Sequence, residues 1–180
     1  MTKRITISTL DAMKASGDKF VMITAYDATF ARLASEAGAE TILVGDSLGM
    51  VLQGHETTIP VSLDAMAYHT ECVARARPHS LIVADLPFMS FSNADDTLHA
   101  STRLMQAGAQ MVKLEGGTWL SDSIHRLVER GVPVCAHLGL TPQSVNVFGG
   151  YRVQGRTPKE AKSILADAVE IQDAGASLLV

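Results

Sequence analysis

The sequence predicts an α/β fold: an incomplete (β/α)8 barrel in a single domain, residues 1–180, with about six of the eight strands. Three observations support this. Short apolar runs alternate with longer segments of helical periodicity, an Ala-Gly-Ala tripeptide recurs three times, and acidic residues follow several of the apolar runs. Strands that are apolar on both faces and separated by helices are typical of a parallel sheet. A complete barrel takes about 250 residues, so roughly two strand–helix units are expected to be absent.

The elements are expected to alternate along the chain. Strands are predicted at residues 21–25, 41–45, 81–84, 110–114, 132–136 and 176–180, and helices at 29–36, 62–75, 94–106, 121–130 and 158–173. Long loops are expected after the second and fifth strands. Candidate functional residues follow strands two to five, which favours a barrel over an open doubly wound sheet. A barrel gathers all its strand ends at one mouth, whereas an open sheet binds ligands at one switch point.

The Ala-Gly-Ala tripeptide lies between a predicted helix and the next strand, at residues 37–39, 107–109 and 174–176. Glycine at such a position predicts a left-handed helix C-cap, and the small neighbours predict close approach of helix and sheet. An acid follows the leading alanine of the first copy by nine residues, at Asp46, and that of the second by eight, at Glu115. The same count predicts a further acid near position 182 or 183, past Val180.

Composition excludes several classes of protein. With 47% hydrophobic and 19% charged residues the chain is globular, and a net charge of −4 with scattered basic residues argues against nucleic-acid binding. No apolar stretch approaches the roughly 18 residues of a membrane span, and none follows residues 1–6 as in a signal peptide. Cys72 and Cys135 form no metal-type pair. A cytoplasmic protein is the expectation.

Three acids stand at the ends of apolar runs: Asp46 after 41–45, Asp85 after 81–84 and Glu115 after 111–114. Hard oxygen donors around one barrel mouth suit Mg2+ or a similar divalent ion. Each acid alone has a simpler explanation, because an aspartate after a strand also caps or turns the chain. Their recurrence at corresponding strand ends favours the metal site.

Lys113 precedes Glu115 by two residues, so both side chains are expected on one face of the strand. A buried ammonium needs a partner, and two interpretations stand: an ion pair with a neighbouring acid, or a cation that holds a substrate carboxylate or stabilises an enolate. His137 ends the fifth strand and is a candidate for indirect contact with the metal site, with a hydrogen-bonded core histidine as the alternative. Gly116 and Gly117 predict a tight turn with close ligand approach.

Several segments together closely resemble the ketopantoate hydroxymethyltransferase family. They are Ile23-Thr-Ala-Tyr-Asp27, Val44-Gly-Asp-Ser-Leu-Gly-Met50, Gln53-Gly-His55, Ala84-Asp-Leu-Pro-Phe-Met89, Met111-Val-Lys-Leu-Glu-Gly-Gly117, His137-Leu-Gly-Leu-Thr-Pro-Gln143, Phe148-Gly-Gly-Tyr151 and Val153-Gln-Gly-Arg156. The resemblance covers essentially the whole chain, with the motifs in the same order.

The resemblance implies a cytoplasmic barrel enzyme of the phosphoenolpyruvate/pyruvate-type superfamily, serving pantothenate and coenzyme A synthesis. Such enzymes transfer a one-carbon unit from 5,10-methylenetetrahydrofolate to 3-methyl-2-oxobutanoate through a Mg2+-stabilised enolate, giving 2-dehydropantoate. It implies that Asp46, Asp85 and, through water, Glu115 hold Mg2+. It also implies that Asp46, Ser47, Asp85 and Lys113 bind the 2-oxo acid, with Lys113 as a catalytic cation. Homo-oligomers, usually decamers, are expected.

The family's proton acceptor is a glutamate that would fall two positions past Val180. The 180 residues are therefore expected to retain the metal and substrate residues without being a competent enzyme alone. Two alternatives stay open. One is a metal-dependent 2-oxo-acid lyase or mutase of the isocitrate lyase kind, which would not require folate. The other is a truncated, non-catalytic fragment that binds ligand.

Overall fold

The computed structural model describes residues 4–180, so the first three residues of the predicted domain lie outside it. Six strands form one all-parallel sheet in sequential order. They are β1 (Met22–Thr24), β2 (Thr41–Val44), β3 (Leu81–Asp85), β4 (Met111–Glu115), β5 (Val134–His137) and β6 (Leu178–Leu179). The order never reverses, as it would at the switch point of a doubly wound sheet. The prediction of an incomplete (β/α)8 barrel with six strands is confirmed.

Helices separate the strands, as predicted. They are α1 (Ile7–Ser16), α2 (Ala28–Glu36), α3 (Leu48–Val51), α4 (Leu63–Arg75), α5 (Ala94–Gln106), α6 (Ser121–Glu129), α7 (Val145–Phe148) and α8 (Pro158–Asp173), and 3-10 turns cover Thr118–Leu120 and Pro142–Ser144. Polar side chains fix several of the helix starts: those of Asp27, Ser62, Asn93 and Thr157 accept hydrogen bonds from backbone N–H groups of the first turn. The bounds of α5 and α8 agree with the prediction to the residue.

The sequence did not predict α1, α3 or α7. Only Leu10 of α1 is buried, so that helix has no regular apolar face to reveal it. The short helices α3 and α7 lie within the long loops expected after the second and fifth strands. Four-residue helices contain too few turns to show a periodic pattern. The loops are therefore more ordered than the sequence indicates, which matters because they surround the carboxyl ends of the strands.

Strand residues alternate between the inside of the barrel and its helical layer. Leu81, Val83, Met111 and Cys135 lie inside and pack against Leu10 of α1, forming an apolar floor at the amino ends of the strands. Their neighbours in sequence point outward and pack against the helices; these are Ile82, Ala84, Val112, Leu114, Val134 and Ala136. Because side chains alternate along a strand, the next inward positions of β3 and β4 are Asp85, Lys113 and Glu115.

The glycines of the Ala-Gly-Ala repeats have the predicted left-handed conformation. Gly38, Gly108 and Gly175 have φ angles of 93°, 111° and 108°, in the left-handed region that favours glycine. A Cβ atom at Gly108 would lie 2.5 Å from the Cβ of Ala74, so this glycine also lets α4 approach the turn closely. In residues 4–180, no helix is long and apolar enough to cross a membrane.

Candidate metal and 2-oxo-acid site

Four charged side chains converge at the carboxyl ends of three adjacent strands. Asp46 follows β2, Asp85 ends β3, and Lys113 and Glu115 lie on β4, all between 2% and 6% exposed. The parallel register pairs Asp85 with Lys113 directly. Charged residues are almost never buried without partners, so the cluster is held by specific contacts.

Lys113 lies at the centre of the cluster. Its Nζ atom is 2.7 Å from Oδ1 of Asp85 and 3.4 Å from Oε1 of Glu115. The ion pair considered as one interpretation of Lys113 is therefore present. It does not exclude the other interpretation, because one ammonium faces more negative charge than it neutralises. With all three acids ionised, three carboxylates and one ammonium leave two uncompensated negative charges.

Asp46 is joined to its neighbour through the backbone. Its N–H donates to Oδ2 of Asp85 at 3.1 Å. The preceding Gly45 permits this approach, since a Cβ there would lie 2.7 Å from Oγ of Ser47 and 3.5 Å from Oδ2 of Asp85. The hydroxyls of Ser47 and Tyr26 are hydrogen-bonded at 2.9 Å. Ser47, which the resemblance assigns to substrate binding, is thereby held beside Asp46.

Glu115 is fixed from three sides. Besides its contact with Lys113, its Oε1 is 3.1 Å from Nδ1 of His137, and its Oε2 accepts from the backbone N–H of Gln143 at 3.1 Å. His137 thus contacts Glu115 directly, and its indirect role at a metal site stays a prediction.

Gln143 was not predicted as a site residue, although it ends a motif that carries the resemblance. It lies in the 3-10 turn Pro142–Ser144 after β5 and is 6% exposed. Its Nε2 atom donates to Oδ2 of Asp46 at 2.8 Å and to the carbonyl of Leu86 at 2.9 Å. A glutamine in a polar loop has no spacing that marks it. The sequence feature that could have indicated it is Pro142, because proline at the first position of a helical turn favours an ordered backbone at the next residue, Gln143.

Burial and mutual repulsion shift the pKa values of the three acids by different amounts and in different directions. Burial, with repulsion from Asp85 and Glu115, raises the pKa of Asp46 to about 7, although Gln143 and Lys113 oppose the shift. Burial also raises the pKa of Asp85, despite its bond to Lys113. For Glu115 the effect of burial is outweighed by His137, Lys113 and Gln143, which hold its pKa below the ordinary value.

For Lys113, burial alone would lower the pKa. The pairing with Asp85 and Glu115 is stronger, so the pKa of the ammonium lies above its usual range. Lys113 therefore stays charged, while Asp46 and Asp85 resist ionisation. An additional cation nearby would lower the pKa of both acids and so favour their ionised forms.

The donor set suits a divalent ion such as Mg2+, since all three acids supply oxygen. Within residues 4–180, no three acid, histidine or cysteine side chains already form a coordination group. Lys113 contacts Asp85 and Glu115 instead, and His137 and Gln143 also contact Glu115. The assignment of Asp46, Asp85 and Glu115 to a metal therefore stays a prediction. The same holds for its form in which Glu115 acts through water.

Two cavities open beside the cluster. One of about 380 Å³ is bounded in part by His137, Gly116 and Asp167, and one of about 130 Å³ by Glu115 and Gln143; Trp119 lines both. The close approach predicted for the glycine pair is made by protein side chains. A Cβ at Gly116 would lie 2.6 Å from the Trp119 ring, and one at Gly117 would lie 2.6 Å from the Asp167 carboxyl group.

The sequence is similar to a known enzyme family along nearly its whole length. A family profile described as ketopantoate hydroxymethyltransferase matches residues 4–180. The chain is 60% identical over 176 residues to the 3-methyl-2-oxobutanoate hydroxymethyltransferase of Burkholderia vietnamiensis strain G4, a match covering 98% of this chain and 65% of that protein. It is 53% identical to the enzyme of that name from Saccharophagus degradans, covering 100% of this chain and 67% of the relative. The chain thus spans about two thirds of the length of these relatives.

Solved structures show a similar fold at low identity. A phosphonopyruvate hydrolase crystallised with oxalate and Mg2+ superposes with a TM-score of 0.72 at 17% identity, covering 96% of this chain and 61% of that one. A 2,3-dimethylmalate lyase of the phosphoenolpyruvate mutase/isocitrate lyase superfamily gives 0.66 at 16%, covering 94% and 60%. At this identity the likeness shows the barrel fold alone.

Proposed function

The chain belongs to the ketopantoate hydroxymethyltransferase family, and on that premise we propose that it binds 3-methyl-2-oxobutanoate and Mg2+ for hydroxymethyl transfer from 5,10-methylenetetrahydrofolate, forming 2-dehydropantoate. The reaction would serve pantothenate and coenzyme A synthesis in the cytoplasm. The observation that carries the proposal is the buried Lys113 ammonium among three buried carboxylates at the strand ends. An anionic substrate can approach that cluster only if further positive charge is supplied there.

Asp46 and Asp85 are the residues we assign to direct metal binding, with Glu115 acting through water. When bound, Mg2+ would act as a Lewis acid on the carbonyl oxygen of the 2-oxo acid and so acidify the C3 proton. Lys113 adds a fixed positive charge next to the position where negative charge develops, and the barrel wall keeps that charge out of bulk water. We also assign Ser47, whose hydroxyl is hydrogen-bonded to that of Tyr26, to substrate binding.

The donor is proposed to enter through the cavity of about 380 Å³ beside His137 and Trp119. The Trp119 ring is 62% exposed and stacks on Phe91 with a centroid distance of 6.0 Å. An exposed, supported indole beside the carboxylate cluster suits a planar heterocycle such as the pterin of the folate donor.

Self-association into the family's homo-oligomer is also proposed. Phe30 and Leu33 on α2 are 64% and 55% exposed, and Tyr68 on the neighbouring α4 is 61% exposed. Large exposed apolar side chains on two helices that pack together, as α2 and α4 do, are typical of protein interfaces. Light scattering coupled to size-exclusion chromatography would detect the oligomer, and a monomer at micromolar concentration would contradict it.

Calorimetry tests the binding step. We expect the 180-residue chain to bind 3-methyl-2-oxobutanoate in Mg2+ and to lose that binding in EDTA or in Lys113→Met. Lys159→Met removes an exposed lysine of α8 and should bind normally. Binding that is equal with and without Mg2+ would contradict the proposal.

Proton NMR in D2O tests the chemistry separately, because the proton acceptor implied by the resemblance is not among these residues. It follows loss of the C3 proton and, with methylenetetrahydrofolate, formation of 2-dehydropantoate. Carbon–carbon cleavage of a 2-oxo acid without folate would favour the lyase alternative. Mg2+-dependent binding without exchange would favour the binding-fragment alternative.

A further inference from the structure

One residue, Gln143, contacts two of the three carboxylates: its side chain donates to Asp46 and its backbone N–H donates to Glu115. We propose that Gln143 is the positioning residue of the metal site, fixing which oxygens of Asp46 and Glu115 are available to the ion. This inference rests on the proposed Mg2+ function. Gln143 is separated by 97 residues from Asp46 and by 28 from Glu115, and it links the ends of β2 and β4, which are not adjacent in the sheet.

The amide orientation is defined by its two donors. Nε2 reaches both Oδ2 of Asp46, at 2.8 Å, and the carbonyl of Leu86, at 2.9 Å. Both N–H groups are therefore used, one on Asp46 and the other on the Leu86 carbonyl. No hydrogen bond from residues 4–180 reaches Oδ1 of Asp46, so that oxygen remains free to bind an ion. Gln143 thereby favours one-oxygen binding by Asp46 over two-oxygen chelation.

The second contact of Gln143 comes from its backbone. Its N–H donates to Oε2 of Glu115 at 3.1 Å, while Lys113 and His137 are near Oε1. Both oxygens of Glu115 are thus engaged, which sets this acid back from direct coordination. The backbone contact persists whatever side chain stands at 143, so substitution isolates the contact with Asp46.

The turn that carries Gln143 is itself held in place. Pro142 occupies its first position, and the hydroxyl of Thr141 donates to that of Ser144 at 2.8 Å. A positioning group is useful only if it is fixed independently of the group it positions. Here the turn supplies that support, and the Leu86 carbonyl fixes the amide rotation.

Gln143→Met tests the proposal, because methionine has a similar length and cannot donate a hydrogen bond. Mn2+ replaces Mg2+ as the probe, since it binds the same oxygen donors and gives an electron paramagnetic resonance spectrum. We expect Mn2+ to bind at least about tenfold more weakly, as for loss of other groups that orient metal ligands. We also expect an altered spectrum of the bound ion, because Asp46 is free to chelate through both oxygens. Gln172→Met, at an exposed position of α8, is the matched control.

The outcomes are distinguishable. A wild-type chain that binds no Mn2+ would overturn the proposed metal function itself. A wild type that binds Mn2+, with Gln143→Met giving the same affinity and the same spectrum, would overturn the positioning role alone. Circular dichroism identifies a variant that fails to fold. In that case Gln143→Asn replaces it: asparagine keeps the amide but is one methylene shorter, so Mn2+ binding should again weaken, and unchanged binding would overturn the proposal.

Discussion

Replacing Asp46 with asparagine should stabilise the metal-free protein at pH 8 while abolishing its response to Mg2+. The pKa of Asp46 is raised from 3.8 to about 7, chiefly by burial and by repulsion from Asp85 and Glu115. Because the folded-state pKa exceeds the unfolded value, the folded state binds more protons between these two pH values. Stability from this group is complete below pH 3.8 and is lost as pH rises through about 7.

The magnitude follows from the size of the shift. About three pH units at about 1.4 kcal/mol each correspond to roughly 4 kcal/mol lost by pH 8, as an upper value for a buried group. Asparagine has nearly the same shape, carries no charge, and retains an oxygen that accepts from Gln143. We therefore expect Asp46→Asn to be about 2–4 kcal/mol more stable than wild type at pH 8 in EDTA, and nearly equal at pH 4.

Urea unfolding at pH 4 and pH 8 measures this difference, with the fluorescence of Trp119, the chain's single tryptophan, as the probe. Asp11→Asn, at an exposed position of α1, is the control for a generic loss of negative charge. Adding Mg2+ at 100 times its dissociation constant should stabilise wild type by about 2.7 kcal/mol and leave Asp46→Asn unchanged. The reasoning fails if Asp46→Asn is no more stable than wild type at pH 8 in EDTA.

Three further results are expected. The affinity of wild type for Mg2+ should rise with pH and level off above about 7, because binding displaces the proton of Asp46; calorimetry showing no change between pH 5.5 and 8 would contradict this. Lys113→Met should lower the free energy of unfolding in EDTA by about 3–5 kcal/mol, because it leaves buried carboxylates unpaired, and an unchanged urea midpoint would count against it. Gly116→Ala should shift the emission of Trp119 and cost about 1–3 kcal/mol, since a Cβ would lie 2.6 Å from the ring. Gly150→Ala has a similarly positive φ with nothing within 4 Å, so an equal loss there would assign the cost to backbone strain instead.

Much of the fold was predictable because its pattern is local. Apolar runs of four or five residues and helices capped by polar residues can each be found within a short window, which is why α5 and α8 were placed to the residue. The acids were predictable for a related reason. A carboxylate immediately after an apolar strand lies at the barrel mouth whatever the rest of the chain does. The sequential strand order then brings Asp46, Asp85 and Glu115 together.

The contacts among those residues were not predictable from local patterns. Lys113 was expected on the same face as Glu115, yet its shortest contact is with Asp85 on the adjacent strand, which depends on the register of β3 and β4. Gln143 reaches the site from a loop without periodicity. A glycine predicts that some group approaches the backbone closely, and at Gly116 that group was expected to be a ligand. In the structure it is the ring of Trp119, which the glycine itself could not indicate.

The charges buried at the strand ends connect the fold with the proposed metal binding. A buried ion pair such as Lys113 with Asp85 contributes little net stability, because desolvation offsets the attraction. Adding Asp46 and Glu115 makes the metal-free cluster costly to ionise, as the raised pKa of Asp46 indicates. Such a cluster is maintained by the apolar floor beneath it and by the turn that carries Gln143, and it becomes favourable only when a cation enters. If the cluster binds Mg2+ as proposed, the charge imbalance that weakens the metal-free protein would also contribute to the affinity for the ion, so a variant without the Asp46 charge should be stabilised less by Mg2+ than wild type.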